Sequence, residues 1–269
     1  MKDSRIRYHM IVTGAVLILL LIAECNNINP VSPGPQPVIL EETRHTPLLD
    51  VFGVLRPDTV EGMPLSYVHL EFSYPADDIP DSSIVADGFV TVIRESGDAS
   101  FDSLLLVYTG FNIFPKAEYR HAALFPERGT YRLICRKEGF PVLTARTVMP
   151  GVPVVPEDSI RVRDGWLDFV IERDEEAALY EVVLENGRLV IRDRFIRPES
   201  GNTAVSLSVK NFPGGSCRLT VFAFDLNMSR YLTANLSIKP NIYQKDFSTV
   251  ENGYGCFGSL NIYKKCIDL

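Results

Sequence analysis

From Pro47 onward the chain is a succession of short alternating segments, each closed by residues that turn the backbone, and this pattern constrains the fold more than any other feature. Tyr67 to Tyr74 is the clearest case. Val68, Leu70, Phe72 and Tyr74 fall on one face and His69, Glu71 and Ser73 on the other, the period of a half-buried strand. The same reading predicts strands over Leu48–Arg56, Phe89–Glu95, Leu104–Thr109, Thr130–Lys137 and Val142–Val148. Between them lie Arg56-Pro57-Asp58, Pro75-Ala76-Asp77-Asp78, Asp87-Gly88, Ser96-Gly97-Asp98 and Glu138-Gly139, all turn formers. Short strands with such punctuation and almost no helical period predict an all-β, antiparallel sandwich.

Met149 to Asp158 (MPGVPVVPED) interrupts the pattern. Three prolines remove ladder donors and exclude a central strand there. The expectation is therefore two β-sandwich domains, residues 48–150 and 159–269, joined by a linker over 151–158. In the second half Leu167, Phe169 and Ile171 alternate with Asp168 and Val170, and Tyr180, Val182 and Leu184 with Glu181 and Val183. Arg188–Ile196, Thr203–Lys210 and Cys217–Phe224 follow. Trp166 and Tyr180, near the starts of consecutive strands, look like the aromatic pair of a fibronectin type III sandwich. One short helix is expected, Met228–Ser237, capped by Asn227 or Asp225, with Met228, Leu232 and Leu236 on one face.

Ahead of all this, Lys2, Arg5 and Arg7 precede an apolar run, Met10 to Ala23, that ends at Glu24 and Cys25. About fourteen apolar residues suit a secretory signal, whereas a spanning helix needs roughly twenty. A cysteine at the end of the run predicts a lipoprotein signal over 1–24, with Cys25 lipidated, although Glu24 stands where a small residue is usual. The alternative is an uncleaved signal anchor. Residues 25–47 follow as a proline-rich tether. Removing Lys2, Arg5 and Arg7 with Asp3 and Glu24 takes the net charge from −7 to −8. An acidic body repels phosphate backbones, so nucleic acid is not an expected partner. The expected location is the outer membrane, lipid-anchored, on its periplasmic or outer face.

The chain resembles the secreted bacterial lipoproteins grouped as domain of unknown function 4249, found mainly in Bacteroidetes. The resemblance runs through the signal, LLDVFGVLRPD (Leu48 to Asp58), DGFVTVIRE (Asp87 to Glu95), RGTYRLICRKEGFPVLTARTVMP (Arg128 to Pro150) and ALYEVVLEN (Ala178 to Asn186). It is most specific at the end, STVENGYGCFGSLN (Ser248 to Asn261), similar to the family's closing glycine-rich pattern, with Asn252 where the family has its first glycine. The resemblance implies a transthyretin-like or carboxypeptidase-regulatory-like first sandwich and a fibronectin-like second one. It also implies export to the outer membrane, often beside a TonB-dependent transporter, and no assigned activity.

Candidate chemistry is sparse. With Cys25 set aside, Cys135 and Cys217 point into separate cores. Cys256 and Cys266, close in sequence in an oxidising compartment, are the expected disulfide, against two free thiols. Gly253, Gly255 and Gly258 lack the lysine and helix of a phosphate loop. They read instead as a structural turn with Phe257, one needing positive φ or close packing. That turn is expected to fold back onto the second sandwich, with Phe257 in its core and Cys266 reaching Cys256. Asp77, Asp78 and Asp81 form an acidic loop without the spacing of a calcium hand. Glu172 to Glu176 reads as a solvated turn. His45, His69 and His121 belong to no HExxH, and no GxSxG elbow is present. No catalytic residues, metal ligands or cofactor are expected. The expected function is a non-catalytic lipoprotein that binds or supports a partner. The alternatives are a stand-alone carbohydrate or peptide binder, with Phe111, Phe114, Tyr119 and Phe125 as its aromatic row, or a hydrolase with an unrecognised carboxylate site.

Overall fold

The computed structural model describes residues 46–74, 83–95, 100–101, 104–109, 116–187, 189–233 and 248–269. The signal, Cys25 and nearly all of the tether lie outside the described residues. Residues Thr46–Leu269 form one compact unit. The alternating segments are strands, and antiparallel pairing dominates.

The first sandwich has one layer of β1 (Leu49–Leu55), β4 (Tyr67–Phe72), β8 (Lys116–Arg120) and β7 (Leu105–Thr109). Facing it are β17 (Val250–Glu251), β10 (Leu143–Met149), β9 (Gly129–Arg136), β5 (Phe89–Arg94) and β6 (Ser100–Phe101), in that order. A small hairpin, β2 (Thr59–Val60) and β3 (Met63–Pro64), stands beside them. The second sandwich places β11 (Arg161–Arg163), β12 (Trp166–Ile171) and β15 (Thr203–Ser208) against β14 (Leu189–Ile196), β13 (Leu179–Asn186) and β16 (Ser216–Phe224). With the last strand added, this is the three-on-four arrangement of a fibronectin type III domain.

That last strand, β18 (Gly253–Asp268), joins the two halves. Its first part runs parallel to β1, Leu49 opposite Gly253 through Leu55 opposite Ser259. Its second part runs antiparallel to β16, Leu260 opposite Phe224 through Asp268 opposite Ser216. One eight-stranded sheet results, in the order β14-β13-β16-β18-β1-β4-β8-β7. At roughly 3.3 Å per residue, β18 extends about 50 Å.

Alternation explains how one strand serves two cores. Phe257 lies in the first core with Leu49, Val51, Leu70 and Leu133. On the same face, Tyr263 and Ile267 pack in the second core with Tyr180, Val182 and Leu219. On the opposite face, Leu260 joins Val54, Leu179, Phe224 and Met228 in a small third cluster. Met228 belongs to helix α1 (Leu226–Thr233).

Two expectations about the C-terminus are corrected here. Phe257 fills the first core, not the second, because the chain crosses sheets at Asn252 (φ 58°) and then pairs with β1. Tyr263-Lys264-Lys265 does not end the strand: Tyr263 is inward and Lys265 pairs with Glu157 at 2.5 Å. The aromatic pair also differs from expectation. Tyr180 is fully buried, but Trp166, first in its strand, has 38% of its surface exposed.

Phe257 has room because Gly53 faces it across the ladder. A β-carbon at Gly53 would lie 2.7 Å from the Phe257 ring. Phe257→Ala should therefore cost about 3–5 kcal/mol, and Gly53→Val should destabilise through the same contact. A chain ending at Asn252 loses an interior strand of the large sheet and should unfold in both halves. Thermal melts decide: a truncated chain that keeps either sandwich folded would show that β18 is dispensable there.

Candidate functional site

The surfaces that matter meet where β18 passes from one sandwich to the other. The polar groups at this joint are buried and mutually satisfied. Asp225, at the end of β16, accepts a hydrogen bond from Thr147 Oγ1 at 2.5 Å. Its Oδ1 also accepts the Met228 amide at 2.9 Å and the Ser259 amide at 3.1 Å. It therefore caps α1 while holding β10 and β18. Ser259 Oγ donates to Val148 O at 3.1 Å, and Asn261 Nδ2 to Pro150 O at 3.1 Å. Asn227 Nδ2 lies 2.7 Å from Arg146 O and 2.9 Å from Phe257 O. The joint is thus a polar seam between two apolar cores.

Outside the seam is a cleft of about 620 Å³, lined by Pro57, Pro126, Val152, Pro153, Val154 and the charged turn at residues 172–175. Asp174 closes its floor. It accepts the Gly151 amide at 2.5 Å and pairs with Arg128 at 3.2 Å. Arg173 pairs with Glu175 at 2.7 Å and donates to Pro198 O, and Arg197 also reaches Glu175. The Glu172–Glu176 segment is a solvated turn at Glu172, Glu175 and Glu176, as expected, while Asp174 and Arg173 within it are held by the linker and the neighbouring loops. Above it Val152 and Val154 are 57% and 51% exposed, two apolar side chains among charges.

A second polar group lies on the outer face of the first half. His69 Nε2 is 2.9 Å from Glu71, and His69 Nδ1 is 2.6 Å from Ala117 O. Both ring nitrogens thus face acceptors, one on its own strand and one on β8. Asp50 lies opposite Glu71 in the ladder. Burial, then the neighbouring Glu71, holds its carboxyl above the ordinary aspartate range. Among the described residues, no three His, Cys, Asp or Glu side chains are placed to hold a metal ion.

The residues singled out from sequence are distributed as follows. Cys256 and Cys266 carry free thiols. The expected disulfide cannot form within the chain, because ten residues of extended strand set them roughly 33 Å apart. Gly253, Gly255 and Gly258 lie within β18 and form no turn, but close approach explains all three. A β-carbon at Gly253 would meet Leu49 O and the Leu143 side chain. At Gly255 (φ +106°) it would meet Val51 O, and at Gly258 the backbone of Met228. Cys135 and Cys217 point into the first and second cores as expected. Of the aromatic row, Tyr119 is buried and donates to Val85 O at 2.6 Å, Phe125 is exposed, and Phe111 and Phe114 lie outside the described residues. His121 accepts the Ala123 amide and stacks edge-on with Phe101. His45, Asp77, Asp78 and Asp81 lie outside the described residues.

Thr147, Gly151, Asp174 and Ser259 carry the joint and the cleft, and none was signalled by sequence. The one available clue was the period of two through Phe257, Ser259, Asn261, Tyr263 and Ile267, which a strand ending at Tyr263 conceals.

No protein-family model matches the chain, and no curated protein matches it. Among solved structures, similar chains include one titled as a cytokine receptor complex, at 13% identity and a TM-score of 0.29, covering 82% of this chain and 95% of that one. Another contains the FN1-FN3 domains of chicken CNTN1, at 12% identity and a TM-score of 0.23, covering 81% of this chain and 66% of that one. At such TM-scores the likeness carries no argument about function. The all-β architecture rests on the strand pairing itself. Among the described residues no helix is long and apolar enough to cross a membrane.

Two outcomes follow from the buried groups. Burial holds the Asp225 carboxyl above its ordinary range against its hydrogen bonds to Thr147 and to the Met228, Ser259 and Asn227 amides. Its contribution to stability is then full below the unfolded value of about 3.9 and is lost as pH rises through the folded value. The stability advantage of the parent over Asp225→Asn should accordingly shrink as pH rises through that window, read from urea midpoints. A difference that stays flat or grows with pH would sink this account. Asp225→Ala, which orphans the partners, should cost on the order of 3–5 kcal/mol.

Burial also pushes the Cys135 and Cys256 thiols up to about 12. In a Cys25→Ser chain a maleimide probe should label Cys266 rapidly and the three buried thiols only on unfolding. Rapid labelling of Cys256 would show that β18 leaves the sheet under native conditions.

Proposed function

We propose that this protein is an exported, lipid-anchored binding module of the outer membrane that holds a partner protein at the cleft between its two sandwiches. A TonB-dependent transporter is the first partner to test. The observation that carries this reading is the cleft itself. Its walls contain Pro57, Pro126 and Pro153, Asp174 holds the linker against it, and Asn261 of β18 joins its lining. Such a surface is ordered before any partner arrives, so little conformational entropy is lost on binding. Val152 and Val154 offer an apolar contact inside a rim of paired charges, the usual composition of a protein-binding patch. The basic start, apolar run and Cys25 support a membrane-anchored module, and a proline-rich tether would supply its reach. The resemblance to domain of unknown function 4249 supports the transporter as partner.

The test is cross-linking and co-purification of the full chain from detergent-solubilised outer membranes. A β-barrel transporter should be enriched, and Val152→Glu with Val154→Glu should reduce its recovery about tenfold while the melting temperature stays near that of the parent. Recovery unchanged by the double substitution would remove the cleft from the interaction. Absence of any transporter from the wild-type material would remove the partner.

A further inference from the structure

The outer face of the three-stranded sheet carries a group of side chains that the joint does not use. Asp164 (φ +53°) and Gly165 (φ +78°) form the two-residue turn between β11 and β12, so Arg163 and Trp166 face each other as the closing pair of a tight hairpin. Gly165 is held from the other side: its carbonyl accepts the Val209 amide at 2.8 Å, and a β-carbon there would strike the Lys210 side chain. The turn is therefore rigid, and with it the position of the indole. Lys210 Nζ sits 5.8 Å from the centre of the Trp166 ring.

Beside the indole lies a shallow, open depression of about 310 Å³, lined by Arg163, Asp164, Trp166, Asp168 and Ser206. Asp168 follows Trp166 by two residues and shares its face, which puts the two side chains roughly 7 Å apart along the strand. Ser206 is opposite Asp168 and donates to its Oδ1 at 2.7 Å, and Arg163 Nε approaches its Oδ2 at 3.4 Å. Asp168 keeps acceptor capacity, Arg163 keeps free donors, and the Ser206 hydroxyl can still accept. Exposed pairs of this kind add little to stability, and an indole left 38% exposed at the start of a strand forgoes burial.

We infer that Trp166, Asp168, Arg163 and Ser206 form a saccharide-binding site, with the indole as the stacking platform and the polar trio engaging vicinal hydroxyls. An aromatic face suits the C–H face of a pyranose. A carboxylate beside a guanidinium and a hydroxyl supplies the acceptor and donors that adjacent hydroxyl groups require. The spacing along the strand is close to the width of one sugar ring. The site is distinct from the junction cleft and does not depend on the partner reading.

Trp166 is the only tryptophan in the chain, so its emission reports this site alone. The Cys25→Ser form of the full chain should be titrated with cellohexaose, maltohexaose and chitohexaose to millimolar concentration, with ATP as a contrast. At least one oligosaccharide should produce a saturable change in emission. Asp168→Ala should weaken that binding about tenfold and Ser206→Ala should weaken it less, with melting temperatures near the parent's. No emission change with any of the three oligosaccharides overturns the inference. So does a change that Asp168→Ala leaves intact, or a response to ATP in place of sugar. Calorimetry on Trp166→Phe and Trp166→Ala provides a check free of the fluorophore: binding retained by phenylalanine and lost with alanine supports stacking, and binding retained by both overturns it.

Discussion

The rest of the structure depends on one constraint: a single strand is shared by two hydrophobic cores. Each sandwich needs a strand in the position that β18 occupies, and among the described residues neither has another to supply it. In the first half, β1 would otherwise be an edge with unpaired backbone groups facing the core opening. In the second, β16 would lose its outer partner and Ile267 would leave the core. The pairing of Leu49–Leu55 with Gly253–Ser259 joins segments from near the two ends of the unit Thr46–Leu269. Such a contact closes a loop of roughly 200 residues, a slow step that the strand ladder and the burial of Phe257 compensate.

The polar seam follows from that sharing. A strand that leaves one core and enters another must cross a region where β10 ends and its last carbonyls lack ladder partners. Ser259 and Asn261 face those carbonyls at Val148 and Pro150, and Asp225 fastens the crossing to the start of α1. Apolar residues in these places would leave carbonyls and amides buried without partners, at about 1–3 kcal/mol each. The two apolar cores are thus bonded to each other through β10, β16, α1 and β18, and the cleft lies beside that joint.

The two candidate surfaces differ in kind. The junction cleft is built by tertiary convergence: Pro57, Pro126, the linker and the 172–175 turn are far apart in the chain, and Asp174 holds them together. The Trp166 face is local, made by one hairpin and one neighbouring strand. The two surfaces lie at opposite ends of β12, the Trp166 hairpin at its start and the 172–175 turn just beyond its end.

Much of the architecture was legible in the sequence, because a period of two and turn chemistry are local properties. Tyr67–Phe72, Phe89–Arg94, Thr203–Ser208 and the core-facing positions of Cys135 and Cys217 follow from alternation alone. The capping of the helix by Asp225 was also readable, since an acidic residue ahead of Met228 needs only its own neighbours to act. The course of Gly253–Asp268 was decided only in three dimensions. Glycines that look like a turn are, in place, the points where a side chain would strike Leu49, Val51 and Met228, and those contacts come from distant parts of the chain. For the same reason Cys256 and Cys266, near in sequence, are far apart in space: an extended strand converts sequence separation into length. What alternation cannot specify is which sheet a strand joins, and here that choice fused two sandwiches into one body.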